Sequence, residues 1–167
     1  MNSPNGHHPI RGHNTMKYTD YLQSQPKDFC PFCDAQHDRI FLDNEYALLT
    51  FAKAPYHPHH LLVVPREHKK SFLELTKEAS DAIWALIRQG SAVLLELGYE
   101  SYTVIVREGK NGAKSIEHLH YHIIPENHIG DLDHDGNNRD IMTEGESEKI
   151  SDEIMQAVGR MTFRGLL

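Results

Sequence analysis

Three histidines alternate with apolar residues over a short stretch, as His118, His120 and His122 within His-Leu-His-Tyr-His-Ile-Ile. Side chains on a β-strand alternate between two faces, so the three histidines would share one face and the apolar residues would face a core. On a helix they would diverge, because neighbours two residues apart do not face each other. Imidazole can transfer protons, attack electrophiles and bind metals near neutral pH. The alternative is a chance row of exposed histidines on an edge strand. The Gly-rich turn 108–114, leading directly into the row, argues against it.

Two cysteines form a second group that could do chemistry, as Cys30-Pro-Phe-Cys33. Such a pair can bind a metal, act in redox chemistry or do neither. A redox role would be expected within a thioredoxin-like βαβ pattern, and the surrounding sequence does not show one. Two cysteines cannot form the disulfide framework of a small secreted protein, so we expect a reducing, cytoplasmic location.

Charge and hydropathy exclude several classes of protein. The chain has 17 Lys and Arg against 24 Asp and Glu, a formal net charge of −7, which argues against general nucleic-acid binding. The longest apolar run, 61–65, falls far short of the roughly 18 residues of a membrane span. The first residues lack a basic start followed by an apolar stretch, so we expect no secretory signal. A chain of 167 residues is typical of one domain.

The elements that must position these groups follow from hydrophobic periodicity. A long helix is predicted between an N-cap at Thr76 and a stop at Gly98, with Gly90 packed closely against a sheet. A final helix is predicted over 147–159. Strands are predicted over 40–43, 46–52, 60–64, 101–107 and 116–124. This order indicates an α+β fold with helices on a mainly antiparallel sheet.

The histidine strand and its surroundings resemble the histidine triad (HIT) superfamily. Residues 118–124 match its signature, His-φ-His-φ-His-φ-φ with φ apolar, at every position, and the similarity extends over about 40–125. The resemblance implies an antiparallel sheet of about five strands, frequent pairing into a homodimer, and hydrolysis or transfer of nucleotides at the α-phosphate. Residues 1–16 are polar and lack periodicity, so we expect a disordered leader there. The resemblance places a HIT domain over 17–125, and an acidic loop with a C-terminal helix is expected over 126–167.

The resemblance also implies catalytic roles. His120 would be the nucleophile that attacks the α-phosphorus and forms a nucleotidyl-imidazole intermediate, a form of covalent catalysis that divides one displacement into two. His122 would donate to phosphate oxygens or to the leaving group. His60 matches the family's upstream histidine, and Ser115 matches a Ser or Thr that contacts the leaving side of the phosphate.

Nucleotide binding is expected from the turn 109–115 and from two cations. The turn, with Asn111 and Gly112, would present backbone N–H groups to a phosphate. Lys114 and Arg107 would offset the charge that develops on phosphoryl oxygens.

Zinc-carrying relatives imply a metal site. In those proteins, and in the related galactose-1-phosphate uridylyltransferases, a Cys-x-x-Cys pair, a histidine after a strand end and the first triad histidine hold the metal. Here these positions are Cys30, Cys33, His68 and His118. Four protein ligands leave no open position, so the Zn²⁺ would be structural. It would clamp the N-terminal segment onto the triad strand.

The chain departs from the family at three positions. Lys114 stands where many members have Gln, and Arg107 where many have Asn. Ala52 stands where many have an Asn or Asp that holds the ribose hydroxyls. The predicted function is hydrolysis of a nucleotide phosphoanhydride or phosphoramidate, with no nucleic-acid or membrane partner. The alternatives are a nucleotidyl transferase or dinucleoside polyphosphate phosphorylase, and a nucleotide-binding module without turnover.

Overall fold

The computed structural model describes residues 16–34, 39–109, 114–126 and 139–167. Asn111, Gly112 and nearly all of the predicted leader lie outside the described residues. Within these described residues, five strands form one antiparallel sheet in the order β1-β2-β3-β5-β4. The strands are β1 Leu42–Asp43, β2 Ala47–Phe51, β3 Leu61–Pro65, β4 Tyr102–Val106 and β5 Tyr121–Pro125.

Three α-helices and one 3₁₀ turn accompany the sheet in the part of the chain that the structure describes. They are α1 Tyr18–Gln23, the 3₁₀ turn Phe72–Glu74, α2 Lys77–Glu96 and α3 Glu144–Phe163. In the described part of the chain, none of these helices combines the length and the apolarity that a membrane crossing requires. The α+β fold with an antiparallel sheet is confirmed.

The long helix α2 covers one face of the sheet. The Thr76 side chain accepts a hydrogen bond from the Ala79 N–H at 3.2 Å, which caps the first turn as predicted. Gly90 lies against the middle of the sheet, where an added Cβ would come within 2.8 Å of Ile123 Cδ1 and 2.9 Å of Leu49 Cδ1. The expected close packing is confirmed, because an added Cβ would have to displace the ends of both side chains.

The two faces of the sheet have different partners. The main core joins one face to α2 and α3, and includes Leu49, Ile123 and Ile154. On the other face Leu48, Ala52, Leu62 and Val64 form a smaller cluster, against which Phe32 packs. The second face therefore lies beneath the segment that carries the cysteines.

Several predicted boundaries differ from the structure. The predicted strand 116–124 is shorter, since only Tyr121–Pro125 pairs in the ladder. Leu119 N–H donates to the Lys69 carbonyl at 2.6 Å, a contact outside the sheet. The last helix begins at Glu144, because Thr143 and Glu146 form a capping box, and it continues to Phe163. The helix α1 was not predicted, because six residues carry too little periodicity to detect.

Candidate active site and metal centre

The alternation of the histidine segment persists although its first half is not in the sheet. Leu119, Tyr121 and Ile123 are buried in the main core. The side chains of His118, His120 and His122 point away from it and are only 1%, 7% and 7% exposed. Because both the apolar residues and the histidines are buried, the histidines do not form a solvated row on an edge strand.

His120 has a fixed tautomer. Its Nδ1 lies 2.8 Å from the His118 carbonyl oxygen, which can only accept, so Nδ1 carries the proton and Nε2 keeps its lone pair. Burial lowers the pKa of His120 to about 4, with smaller contributions from the charges of Lys114 and Arg107. The ring is therefore neutral at physiological pH, the form that a nucleophile requires.

His60 and His122 form a directed hydrogen-bond chain. The Tyr56 N–H donates to His60 Nδ1 at 3.2 Å, so the proton of this ring lies on Nε2 and is donated to His122 Nδ1 at 2.9 Å. Burial holds the pKa of each ring well below its usual range. His122 Nε2 then carries an N–H that is buried and finds no acceptor among the described residues. Such a donor is available to a ligand.

A cavity of about 250 Å³ opens beside these rings. His60, His120, His122 and Ser115 all line it. Arg107 and Lys114 are not among its described lining residues: Arg107 Nη2 donates to the Tyr56 hydroxyl at 2.8 Å, and Lys114 Nζ donates to the Lys70 carbonyl. Their positive charges nevertheless contribute to lowering the pKa of His120.

Several residues at the site were missed by sequence reasoning. Phe32 packs on His120 with ring centroids 5.2 Å apart, and its place between two cysteines could have indicated it. Tyr56 supplies the backbone donor to His60. Arg139 lies over the Tyr56 ring, its Cζ 4.0 Å from the ring centroid. No local sequence signal marks Arg139, because it follows a polar segment and reaches the site only through the fold.

The four predicted metal ligands come together. One ligand atom from each of Cys30, Cys33, His68 and His118 lies within 4.8 Å of every other. Nδ1 of His118 is 3.4 Å from both sulfur atoms, and Nδ1 of His68 is 3.3 Å from Cys33 Sγ. Ligands of a tetrahedral zinc ion at standard bond lengths have S···N separations of about 3.6 Å. The spacing fits such an ion.

The orientation of His118 also fits a metal ligand. Its Nε2 lies 3.0 Å from the Pro65 carbonyl and therefore donates to it, which leaves the Nδ1 lone pair facing the two thiols. A ligating histidine typically donates its other ring N–H in this way. The donor set of two sulfurs and two imidazoles suits Zn²⁺ and leaves no open position.

A second histidine cluster lies on the loop before β3. His59 Nδ1 lies 2.6 Å from the Tyr99 hydroxyl, and His59 Nε2 lies 2.8 Å from Glu153 Oε2 on α3. His57 packs on Tyr99 with ring centroids 5.1 Å apart. The cluster ties the loop that carries Tyr56 to the last helix.

Comparison with known proteins gives one family. The family described as the HIT domain matches residues 34–129. The chain is 31% identical over 91 residues to a bis(5'-adenosyl)-triphosphatase of Dictyostelium discoideum, covering 54% of this chain and 61% of that protein. It is 35% identical over 72 residues to an adenosine 5'-monophosphoramidase of Schizosaccharomyces pombe, covering 43% of this chain and 52% of that protein. The matches thus span between half and two thirds of these relatives.

A solved structure shares the fold. A Zn-bound histidine triad family protein from Mycobacterium smegmatis superposes with a TM-score of 0.65 at 19% identity, covering 81% of this chain and 96% of that one.

Proposed function

Because the chain belongs to the HIT domain family, we propose that it hydrolyses a nucleotide phosphoanhydride or phosphoramidate at the α-phosphate through a nucleotidyl-His120 intermediate. Its named relatives include a dinucleoside triphosphatase and an AMP phosphoramidase, which supports nucleotide hydrolysis at the level of the family. The observation that carries the mechanism is the bond from His120 Nδ1 to the His118 carbonyl, because it leaves Nε2 free to attack.

In the first step, Nε2 of His120 forms a bond to the α-phosphorus, and the bond to the leaving group breaks with its electron pair going to that group. The Nδ1 proton stays on the ring, so the product is a cationic nucleotidyl-imidazole. In the second step, water displaces the imidazole from phosphorus, the nucleoside monophosphate departs, and one proton is released. His120 returns to the neutral tautomer that its bond to His118 favours.

The remaining histidines and Ser115 orient the phosphate. The unpaired N–H of His122 would donate to a phosphoryl oxygen, which stabilises the charge that develops there. His60 fixes the tautomer of His122 and acts as a positioning residue. Ser115 lines the same cavity and would contact the leaving side. Arg107 and Lys114 add positive charge, and the proposed backbone contacts of Asn111 and Gly112 stay predictions.

The proposal includes a structural Zn²⁺ held by Cys30, Cys33, His68 and His118. Bound there, the ion supplies a cross-link between the cysteine segment, the chain after β3 and the histidine segment. A homodimer is also proposed; it is supported by β4 lying at an open edge of the sheet. The cytoplasmic location and the division into domain and extension stay predictions.

A turnover panel tests the proposed reaction. It contains adenosine 5'-phosphoramidate and diadenosine triphosphate, each with and without inorganic phosphate, with His120→Ala as the control. A monophosphate product that the variant fails to form supports hydrolysis. A nucleoside diphosphate that needs added phosphate would instead indicate a phosphorylase. Nucleotide binding without any product would indicate a binding module.

A further inference from the structure

Tyr56 lies between two arginines beside the histidine chain. The Arg139 guanidinium covers its ring, with Cζ 4.0 Å from the centroid, and Arg107 Nη2 donates to its hydroxyl at 2.8 Å. The backbone N–H of the same tyrosine donates to His60. Tyr56 therefore links two guanidinium groups to the histidines that face the cavity.

The wall of this cavity is cationic in an acidic protein. Its described lining includes Arg39, Lys53 and Arg139 against one carboxylate, Glu144, which pairs with Arg39 at 2.5 Å. The chain as a whole carries a formal net charge of −7. Positive charge is thus concentrated at the site, and a cleft lined by one sign of charge attracts ligands of the other.

Arg139 comes from outside the matched domain, which ends at residue 129. Its carbonyl accepts from the Tyr18 N–H at 3.1 Å. Two residues later the chain is held again, because Ile141 N–H donates to the Met16 carbonyl and Met142 N–H to the Lys53 carbonyl, each at 3.1 Å. These backbone bonds therefore hold the main chain from which the Arg139 guanidinium extends into the cavity lining.

We infer that Arg139, which lines the cavity, forms a second anion site with Arg107 adding positive charge across Tyr56, and that this site binds a phosphoryl group of the substrate other than the one that His120 attacks. Guanidinium is suited to this role because its planar fork matches phosphate oxygens bidentately. The inference rests on the proposed function and narrows its substrate class to nucleotides with at least two phosphoryl groups. The second group belongs either to a polyphosphate chain or to a phosphorylated sugar.

Binding of three nucleotides tests the inference without requiring turnover. Titration calorimetry compares AMP, ADP and adenosine 3',5'-bisphosphate on the full chain. We expect ADP or adenosine 3',5'-bisphosphate to bind roughly tenfold or more tightly than AMP, as a charge-assisted contact predicts. A preference for ADP identifies the polyphosphate chain as the source, and a preference for the 3',5'-bisphosphate identifies the sugar.

Variants of Arg139 assign the preference to this site. Arg139→Gln should remove most of the affinity ratio between the preferred two-phosphoryl nucleotide and AMP. Arg139→Lys should keep part of this ratio, because it retains the positive charge. Arg88→Gln is the matched control, since Arg88 is an exposed residue of α2 and is not among the described lining of the cavity.

Three results separate the inference from the proposed function. Equal affinity for all three nucleotides overturns the inference alone. An equal loss of affinity for all three in Arg139→Gln also overturns it, because the arginine would then support the fold and not a second phosphoryl group. If none of the three binds, the inference fails, and the turnover panel then decides the proposed function: product formation there leaves that function standing, and no product overturns both.

Discussion

The His118 carbonyl oxygen lies 2.8 Å from Nδ1 of His120. The imidazole ring of His118 faces the sulfur atoms of Cys30 and Cys33 through its Nδ1. One residue thus joins the candidate metal centre to the tautomer of the candidate nucleophile, with its side chain serving one and its backbone serving the other. Because the two residues are adjacent on the same face, metal binding would order the backbone that holds the nucleophile.

Loss of a cysteine tests the metal centre. Cys33→Ser removes one ligand, so we expect Zn²⁺ content near one per chain in the wild type and far less in the variant. A lower melting temperature follows, because metal binding contributes folding free energy. Elemental analysis and thermal unfolding, with and without a chelator, measure both. Absence of zinc from the wild-type chain, with no effect of chelator or variant on melting, would contradict the assignment.

Removal of His60 tests the directed hydrogen-bond chain. His60→Ala leaves His122 Nδ1 without its donor, so the tautomer and orientation of His122 are no longer fixed. We expect a drop in kcat of roughly 10²- to 10⁴-fold, by analogy with other residues that hold a catalytic histidine. Zinc content should stay at the wild-type level. A variant with unchanged kcat would show that His60 plays no part in turnover.

The close approach of α2 to the sheet predicts a pair of opposite glycine effects. Gly90→Ala forces a Cβ against Ile123 and Leu49, and we expect a loss of about 1–3 kcal/mol in the free energy of unfolding. Gly159→Ala is the matched control in α3, where nothing lies within 4 Å of the added Cβ. It should leave stability unchanged or raise it by up to about 1 kcal/mol. Denaturant unfolding of both variants measures the difference, and equal effects would contradict the packing.

The loop before β3 predicts acid sensitivity of the fold. Burial, and then the charge of the neighbouring His59, lowers the pKa of His57 from its usual 6.5 to about 4. Between pH 4 and pH 6.5 the unfolded chain therefore binds more protons than the folded chain. The contribution of neutral His57 to the free energy of unfolding is complete above about pH 6.5 and is lost as the pH falls towards 4. The slope is less than about 1.4 kcal/mol per pH unit, because His57 is partly exposed.

His57→Gln tests this contribution. Tyr99 and His59 are the groups packed on His57, and Glu153 pairs with His59. The variant should show a shallower dependence of unfolding free energy on pH between 6.5 and 4, with an unchanged slope above pH 7. An identical slope in both proteins across the acid range would rule out His57 as a contributor.

The sequence was most informative where a strict periodicity meets a chemical constraint. The period-two alternation around His120 buries its apolar side chains only on an extended strand. The spacing of the apolar residues around Gly90 buries them only on a helix. The cysteine pair required partners, and His68 and His118 were identified because a family pattern supplied the missing distance information. The four ligand atoms indeed converge.

Other features depend on contacts between distant parts of the chain. Arg139 reaches Tyr56 because backbone bonds hold its segment to the residues around α1 and β2. No spacing in the sequence encodes that approach. The short helix α1 and the irregular backbone before Tyr121 were missed for a related reason, since neither is set by its own periodicity.

Trapping of the covalent intermediate tests the central claim most directly. A substrate labelled at the α-phosphorus is mixed with the chain, turnover is quenched by denaturation, and label on the protein is counted. We predict label on the wild-type chain, mapped to His120 by mass spectrometry of peptides, and none on His120→Ala. Label on another residue would contradict the account. Turnover that leaves no label on the protein at any quench time, together with full activity in His120→Ala, would also contradict it.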